Sequence, residues 1–186
     1  MKHINYISSW IKLVAFVFLL SLLSVSVFAQ TTENTLKAVY LEKICRFVTW
    51  PEESGINDPN SPFIITVAGD DDFYKTLEQI YSIQKINDKK VVLKKLENYN
   101  EIEGSHILYL GKVDDPELSE MLELANKYNA LTISSSNGFA EKGVLINFYK
   151  EANKLRFEIN EKAILQSSLK MSFYLLNSAR IVNSEN

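Results

Sequence analysis

Phe63-Ile64-Ile65-Thr66-Val67-Ala68-Gly69-Asp70-Asp71-Asp72, residues 63–72, decides the fold. Its first six residues are a continuous apolar run rich in β-branched side chains, the pattern of a strand buried on both faces. Gly69 breaks the run, and an Asp after it suits the N-cap of a helix, whose positive end favours acids. The spacing of Phe73, Leu77, Ile80 and Tyr81 then predicts a helix to about Ile83. A doubly buried strand followed by an amphipathic helix is the unit from which parallel sheets are built.

The same alternation continues downstream. Residues 90–96 and 106–110 read as strands. Asp114 or Asp115 caps, and Pro116 opens, a helix through Tyr128 with Leu118, Met121, Leu122 and Ala125 inward. Residues 130–134 read as a fourth strand. After the Ser135–Gly143 loop, Val144–Tyr149 and Lys154–Ile159 pair around Glu151-Ala152-Asn153 as a hairpin at the sheet edge, and a final helix is expected from Asn160 to about Val182. Upstream, residues 34–50 show helical spacing at Leu36, Tyr40, Ile44 and Phe47, and Pro51 ends that element. The expected class is α/β: a largely parallel sheet flanked by helices, with a C-terminal β-hairpin and a long terminal helix.

Residues 1–29 stand apart. They contain Lys2 and Lys12, no acid, an apolar run from Leu13 to Phe28, and a small-x-small exit at Val27-Phe28-Ala29. These are the parts of a cleavable secretory signal. A membrane anchor is the rival, but a 16-residue helix spans about 24 Å against a hydrocarbon core of about 30 Å. Residues 30–186 then form a single exported domain. Removal of Lys2 and Lys12 shifts the net charge from −3 to −5, which excludes a nucleic-acid footprint. One cysteine, Cys45, cannot make an internal disulfide, so stability comes from the core.

Chemistry-bearing patterns are sparse. His106 is the one histidine after residue 29, and with no second His and Cys45 distant in sequence it gives no zinc spacing. Asp70, Asp71 and Asp72 read as a helix cap with solvated charges, or as oxygen ligands for a divalent cation. GxGxxG, GxxxxGK[ST] and GxSxG do not occur, and Ser134, Ser135 and Ser136 lack an evident base in the sequence. No cofactor or metal is expected. Cys45 reads as a buried, inert thiol on an apolar helix face.

Three separated segments carry a family pattern. They are Tyr40-Leu41 to Phe47-Val48-Thr49-Trp50-Pro51; Asn137-Gly138-Phe139-Ala140 with Gly143 and Ile146-Asn147-Phe148; and Arg156-Phe157-Glu158-Ile159-Asn160 followed by Ala163 and Ser167-Ser168-Leu169-Lys170-Met171-Ser172. In order and spacing these resemble the F-V-x-W-P, GF…G…I.F and RFEIN segments of the YfiR family of periplasmic proteins, from roughly Leu36 to Val182. The resemblance implies a soluble periplasmic regulator. The best-known member restrains a membrane-bound diguanylate cyclase by binding its periplasmic portion, which lowers cyclic-di-GMP output and biofilm formation. A homodimer is also compatible with the resemblance. That branch carries cysteine pairs, and the single Cys45 here leaves no intramolecular thiol switch.

Two classes of function follow. One is a non-catalytic module that binds a membrane-bound signalling protein. The other is an exported small-ligand-binding domain or small enzyme of unknown reaction. The missing nucleophile–base set favours the first. Phe139, read as an exposed loop aromatic, is the expected partner anchor with Asn137 beside it. Trp50, Asp70, Arg156, Glu158 and Asn160 are expected as ligand-contacting or structural motif residues. Arg156 and Glu158 share one strand face while Leu155, Phe157 and Ile159 take the other.

Overall fold

The computed structural model describes residues 33–183, and the compact unit begins at Thr35. The signal-peptide expectation for residues 1–29 lies outside the described residues. Helix α1 covers residues 33–45. It is followed by β1 (Val48–Thr49), β2 (Phe63–Ala68), α2 (Asp71–Tyr81), β3 (Lys85–Ile86), β4 (Lys89–Lys95), β5 (Ile107–Leu110), α3 (Asp115–Lys127) and β6 (Leu131–Ser134). The chain continues through β7 (Ile146–Glu151), β8 (Lys154–Asn160), α4 (Glu161–Gln166), β9 (Lys170–Met171), α5 (Phe173–Asn177) and β10 (Arg180–Val182).

Eight strands form one sheet in the order β10-β8-β7-β6-β5-β2-β4-β3. All neighbours are parallel except β7–β8 and β3–β4. Each antiparallel pair is closed by two residues with positive φ, Ala152-Asn153 and Asn87-Asp88, the geometry of a tight hairpin turn. Period-2 alternation divides the sheet between two cores. On one face Ile65, Val67, Ile107, Tyr109, Ile133 and Phe148 meet Ala38, Leu41 and Ile44 of α1 and Phe73, Leu77 and Tyr81 of α2. On the other, Leu108 and Leu110 meet Leu118, Met121 and Ala125 of α3. The helices cap as their sequences require: Asp70 Oδ1 accepts from Phe73 N at 2.9 Å, and Asp114 with Glu117 forms a capping box.

Two sequence expectations fail at chain segments that apolar spacing alone reads as helix. The long terminal helix does not form. Asn160 caps α4, which ends at Gln166. Ser167 is extended there; its hydroxyl donates to Ile164 O and accepts from Leu169 N, so it competes with the helical ladder. Lys170–Met171 pairs with Thr49–Val48, and Arg180–Val182 lies parallel to Glu158–Asn160. Likewise the first helix stops at residue 45 rather than 50. Val48 and Thr49 are β-branched and find strand partners, while Pro51 biases Trp50 toward an extended backbone.

Candidate functional site

In a doubly wound sheet, ligands enter outside the carboxyl ends of strands where the chain reverses its direction of winding. Here that point lies between β2 and β5, because β2 leads to β4 on one side and β5 leads to β6 on the other. Backbone fills the crevice. Gly111 N donates to Ala68 O at 2.7 Å and Lys112 N donates to Gly69 O at 3.0 Å, which extends the ladder past both strands. A Cβ on Gly111 would stand 2.5 Å from Gly69 O, and one on Gly69 would stand 2.5 Å from Lys112 O. Only glycines permit this approach.

The neighbouring serines are stitched into the same end. Ser134 Oγ donates to Leu110 O at 2.6 Å and Ser136 Oγ donates to Gly111 O at 2.9 Å. Ser135 Oγ lies 3.1 Å from Lys37 Nζ and 2.9 Å from the Tyr109 hydroxyl. The partner of Ser135 that the sequence does not show is a donor lysine on α1, 98 residues away.

The motif positions divide by environment. Trp50 is buried; its Nε1–H donates to His106 O at 3.1 Å and its ring meets Phe63 edge-on at 5.8 Å. Asp70 is a cap. Asp71 pairs with Lys95 at 2.8 Å, and that ammonium holds its carboxyl below the usual range. Among the described residues no group of three His, Cys, Asp or Glu side chains is placed to hold a metal ion. Phe139 is only 6% exposed, packed with the α3-side core. The expectation of an exposed anchor there is corrected: Gly138 and Gly143 fold the loop back, and Val144 N donates to Phe139 O at 3.0 Å. Asn137 is exposed at the loop tip.

The RFEIN segment builds a polar region on the α3 face of β7, β8 and β10, beyond α3 itself. Buried Glu158 accepts from Asn147 Nδ2 at 3.0 Å and from the Arg180 Nε at 3.0 Å, with a second contact to the Arg180 Nη2. The carboxylate raises the Arg180 pKa. The same guanidinium lies 4.0 Å from the centre of the Tyr149 ring. Asn160 Nδ2 donates to Ala140 O at 2.6 Å while its Oδ1 caps α4. Asn147 Oδ1 and Glu141 Oε2 are buried acceptors without a donor among the described residues. Arg156 is exposed, with a long 3.8 Å ion pair to Glu151.

His106 is structural in its surroundings. Its Nδ1 accepts from Ile64 N at 3.0 Å, so the neutral ring carries its proton on Nε2. The ring stacks on Phe63 at 4.8 Å. Burial, and then the Lys89 ammonium, lower its pKa to about 4, opposed weakly by the Ser54 backbone. Cys45 is fully enclosed, and burial followed by the Glu42 charge pushes its thiol pKa up.

Two features were not legible in the sequence. One is a half-open cleft of about 330 Å³ between α3 and the α4–β9 segment, with Leu122, Asn126, Thr132, Leu145, Ala163 and Gln166 among its walls. The other is a set of exposed aromatics: Phe47 at 42%, Phe173 at 72% and Tyr174 at 75%. The latter two sit where a continuous helix was expected, so their faces could not be assigned by period.

A family model described as YfiR/HmsC-like matches residues 34–180. No curated protein matches the chain significantly.

Proposed function

The chain belongs to the YfiR/HmsC-like family, and from that premise we propose that it is a non-catalytic periplasmic regulator that binds and restrains a membrane-bound signalling protein, with a diguanylate cyclase as the first partner to test. Regulation in the periplasm is the general role that membership supports. The observation that supports a recognition role over a catalytic one is the closed crevice between β2 and β5. The place where this architecture offers a substrate pocket holds a Gly69–Gly111 backbone ladder instead.

Restraint requires that the regulator bind the inactive state of its partner more tightly than the active one. A hundredfold preference is about 2.7 kcal/mol, within reach of one good anchor residue. The polar region around Arg156, Tyr149 and Arg180 supports this reading, because the exposed Arg156 guanidinium has only a 3.8 Å pair with Glu151 and is open to an acidic group of a partner. The cleft beside α3 supports the second reading, an exported small-ligand-binding domain.

Crosslinking in the cell envelope, with identification of the captured protein, tests the proposal. Capture of a membrane-bound cyclase, and a rise in cyclic-di-GMP on deletion of the chain, are the expected results. Unchanged cyclic-di-GMP on deletion, with no membrane signalling protein captured, would sink it.

A further inference from the structure

We propose that the surface formed by residues 43–49 and 170–174 seats on an anionic lipid bilayer. The two segments are brought together by β1–β9 pairing, Val48 with Met171 and Thr49 with Lys170, and by Ser172 N donating to Phe47 O at 2.9 Å. The ribbon has two faces. Val48 and Met171 turn to the core, while Phe47, Thr49 and Lys170 face outward. Helix α5 then presents Phe173 and Tyr174 at 72% and 75% exposure. Three large aromatics are therefore exposed on adjoining segments, which apolar packing does not explain.

Charge decides what covers them. Lys43, Arg46 and Lys170 are exposed beside these rings. Neither segment contains an acid; the flanking ones are Glu42, which pairs with Arg46 and offsets its charge, and the exposed Glu52 and Glu53 beyond Pro51, so Lys43 and Lys170 carry the charge of the patch. From Lys170 to Val182 the chain has no Asp or Glu at all, in a protein whose acids outnumber its Lys and Arg by 23 to 20. Aromatic rings interleaved with cations match a membrane interface: Phe enters the acyl boundary, Tyr keeps its hydroxyl among headgroups, and cations meet anionic lipid. Each cation near such a surface raises partitioning about fivefold. Repulsion from the acidic remainder of the protein fades within a Debye length of about 8 Å at physiological salt. The local patch thus outweighs the net charge.

Flotation of the protein purified from the cell envelope with lipid vesicles tests this. Binding to phosphatidylglycerol-rich vesicles, weakening with salt, is expected, with little binding to pure phosphatidylcholine. The double variant Phe173→Ser/Tyr174→Ser should lose about tenfold or more in partitioning. Lys170→Glu should lose about fivefold or more and flatten the salt dependence. Both should keep the wild-type unfolding temperature, since the altered side chains are exposed. No flotation with anionic vesicles, or equal flotation of wild type and both variants, would overturn the proposal. So would loss of binding to a protein partner by these variants when vesicle binding was never present; the surface would then belong to a protein. Because the readout is lipid binding alone, its failure leaves the cyclase proposal standing, and the reverse also holds.

Discussion

Acid should destabilise this domain through His106, by an amount that follows from its surroundings. The imidazole is enclosed by Phe63 and Trp50, accepts a backbone hydrogen bond at Nδ1, and faces the Lys89 ammonium. Its pKa falls from the ordinary 6.5 to about 4 in the folded state. The folded protein therefore resists the proton that the unfolded chain accepts. Stability is complete above the unfolded value of 6.5, declines as pH falls below it, and stops declining from this cause below about 4. Each pKa unit is worth about 1.4 kcal/mol, so the full loss is about 3 kcal/mol. Urea unfolding across that window measures it in wild type and in His106→Gln. The variant loses the stacked ring and starts less stable at neutral pH, but it should lack most of the decline. Equal pH slopes in the two proteins between 6.5 and 4 would refute the assignment. Partner control at neutral pH should survive in His106→Gln wherever the variant is folded, because the ring is a core group.

Phe139→Ala should cost about 3–5 kcal/mol in folding stability, as for other buried aromatics, while partner capture by the remaining folded protein stays intact; thermal unfolding and pull-down in parallel would show the opposite pattern if Phe139 were a surface anchor. Gly111→Ala forces a methyl to 2.5 Å from Gly69 O and should cost about 1–3 kcal/mol or more, lowering the melting temperature by several degrees. A melting temperature equal to wild type would mean that the β2–β5 crevice opens easily. Cys45 should resist thiol reagents in the native protein, and Cys45→Ala should cost about 1 kcal/mol; rapid labelling at neutral pH would contradict its enclosure.

The parallel sheet was legible because its strands are buried on both faces. Phe63–Ala68, Ile107–Leu110 and Leu131–Ser134 read as unbroken apolar or β-branched runs, and the Asp70 and Asp114 caps mark where helices start. The region after Asn160 was not legible. Leu165, Leu169, Phe173, Leu176 and Ile181 fall near helical spacing, yet Lys170–Met171 pairs with Val48–Thr49 and Arg180–Val182 with β8, which breaks the helix these residues would share. Period reports which positions share a face, not whether a strand from elsewhere competes for the backbone. Strand β3 escaped for a related reason: two residues are too short to show alternation, and only the Asn87-Asp88 turn betrays the hairpin. At the candidate site, the Glu158–Arg180 contact was hidden because Arg180 was placed in a helix, and the burial of Phe139 was hidden because a loop has no period.

The fate of the motif residues bears on the proposed recognition surface. Trp50 is spent on the His106 carbonyl, Asp70 on the α2 cap, Asn160 on Ala140 and α4, Glu158 on Asn147 and Arg180, and Phe139 on the α3 core. Each has a structural partner that uses up its chemistry. Arg156 is an exception, as are the exposed Asn137 and Phe47. It projects from β8 on the same face as Glu158 and Asn160, is exposed, and holds only a 3.8 Å pair with Glu151, an arrangement worth little to folding. A guanidinium that the fold does not use remains available to a partner. Arg156→Glu should therefore leave thermal unfolding unchanged and weaken partner capture by about tenfold or more, the scale of a charge reversal at an interface. Unchanged capture would move the recognition surface away from β8. A drop in melting temperature instead would mean that Arg156, like its neighbours in the motif, serves the fold.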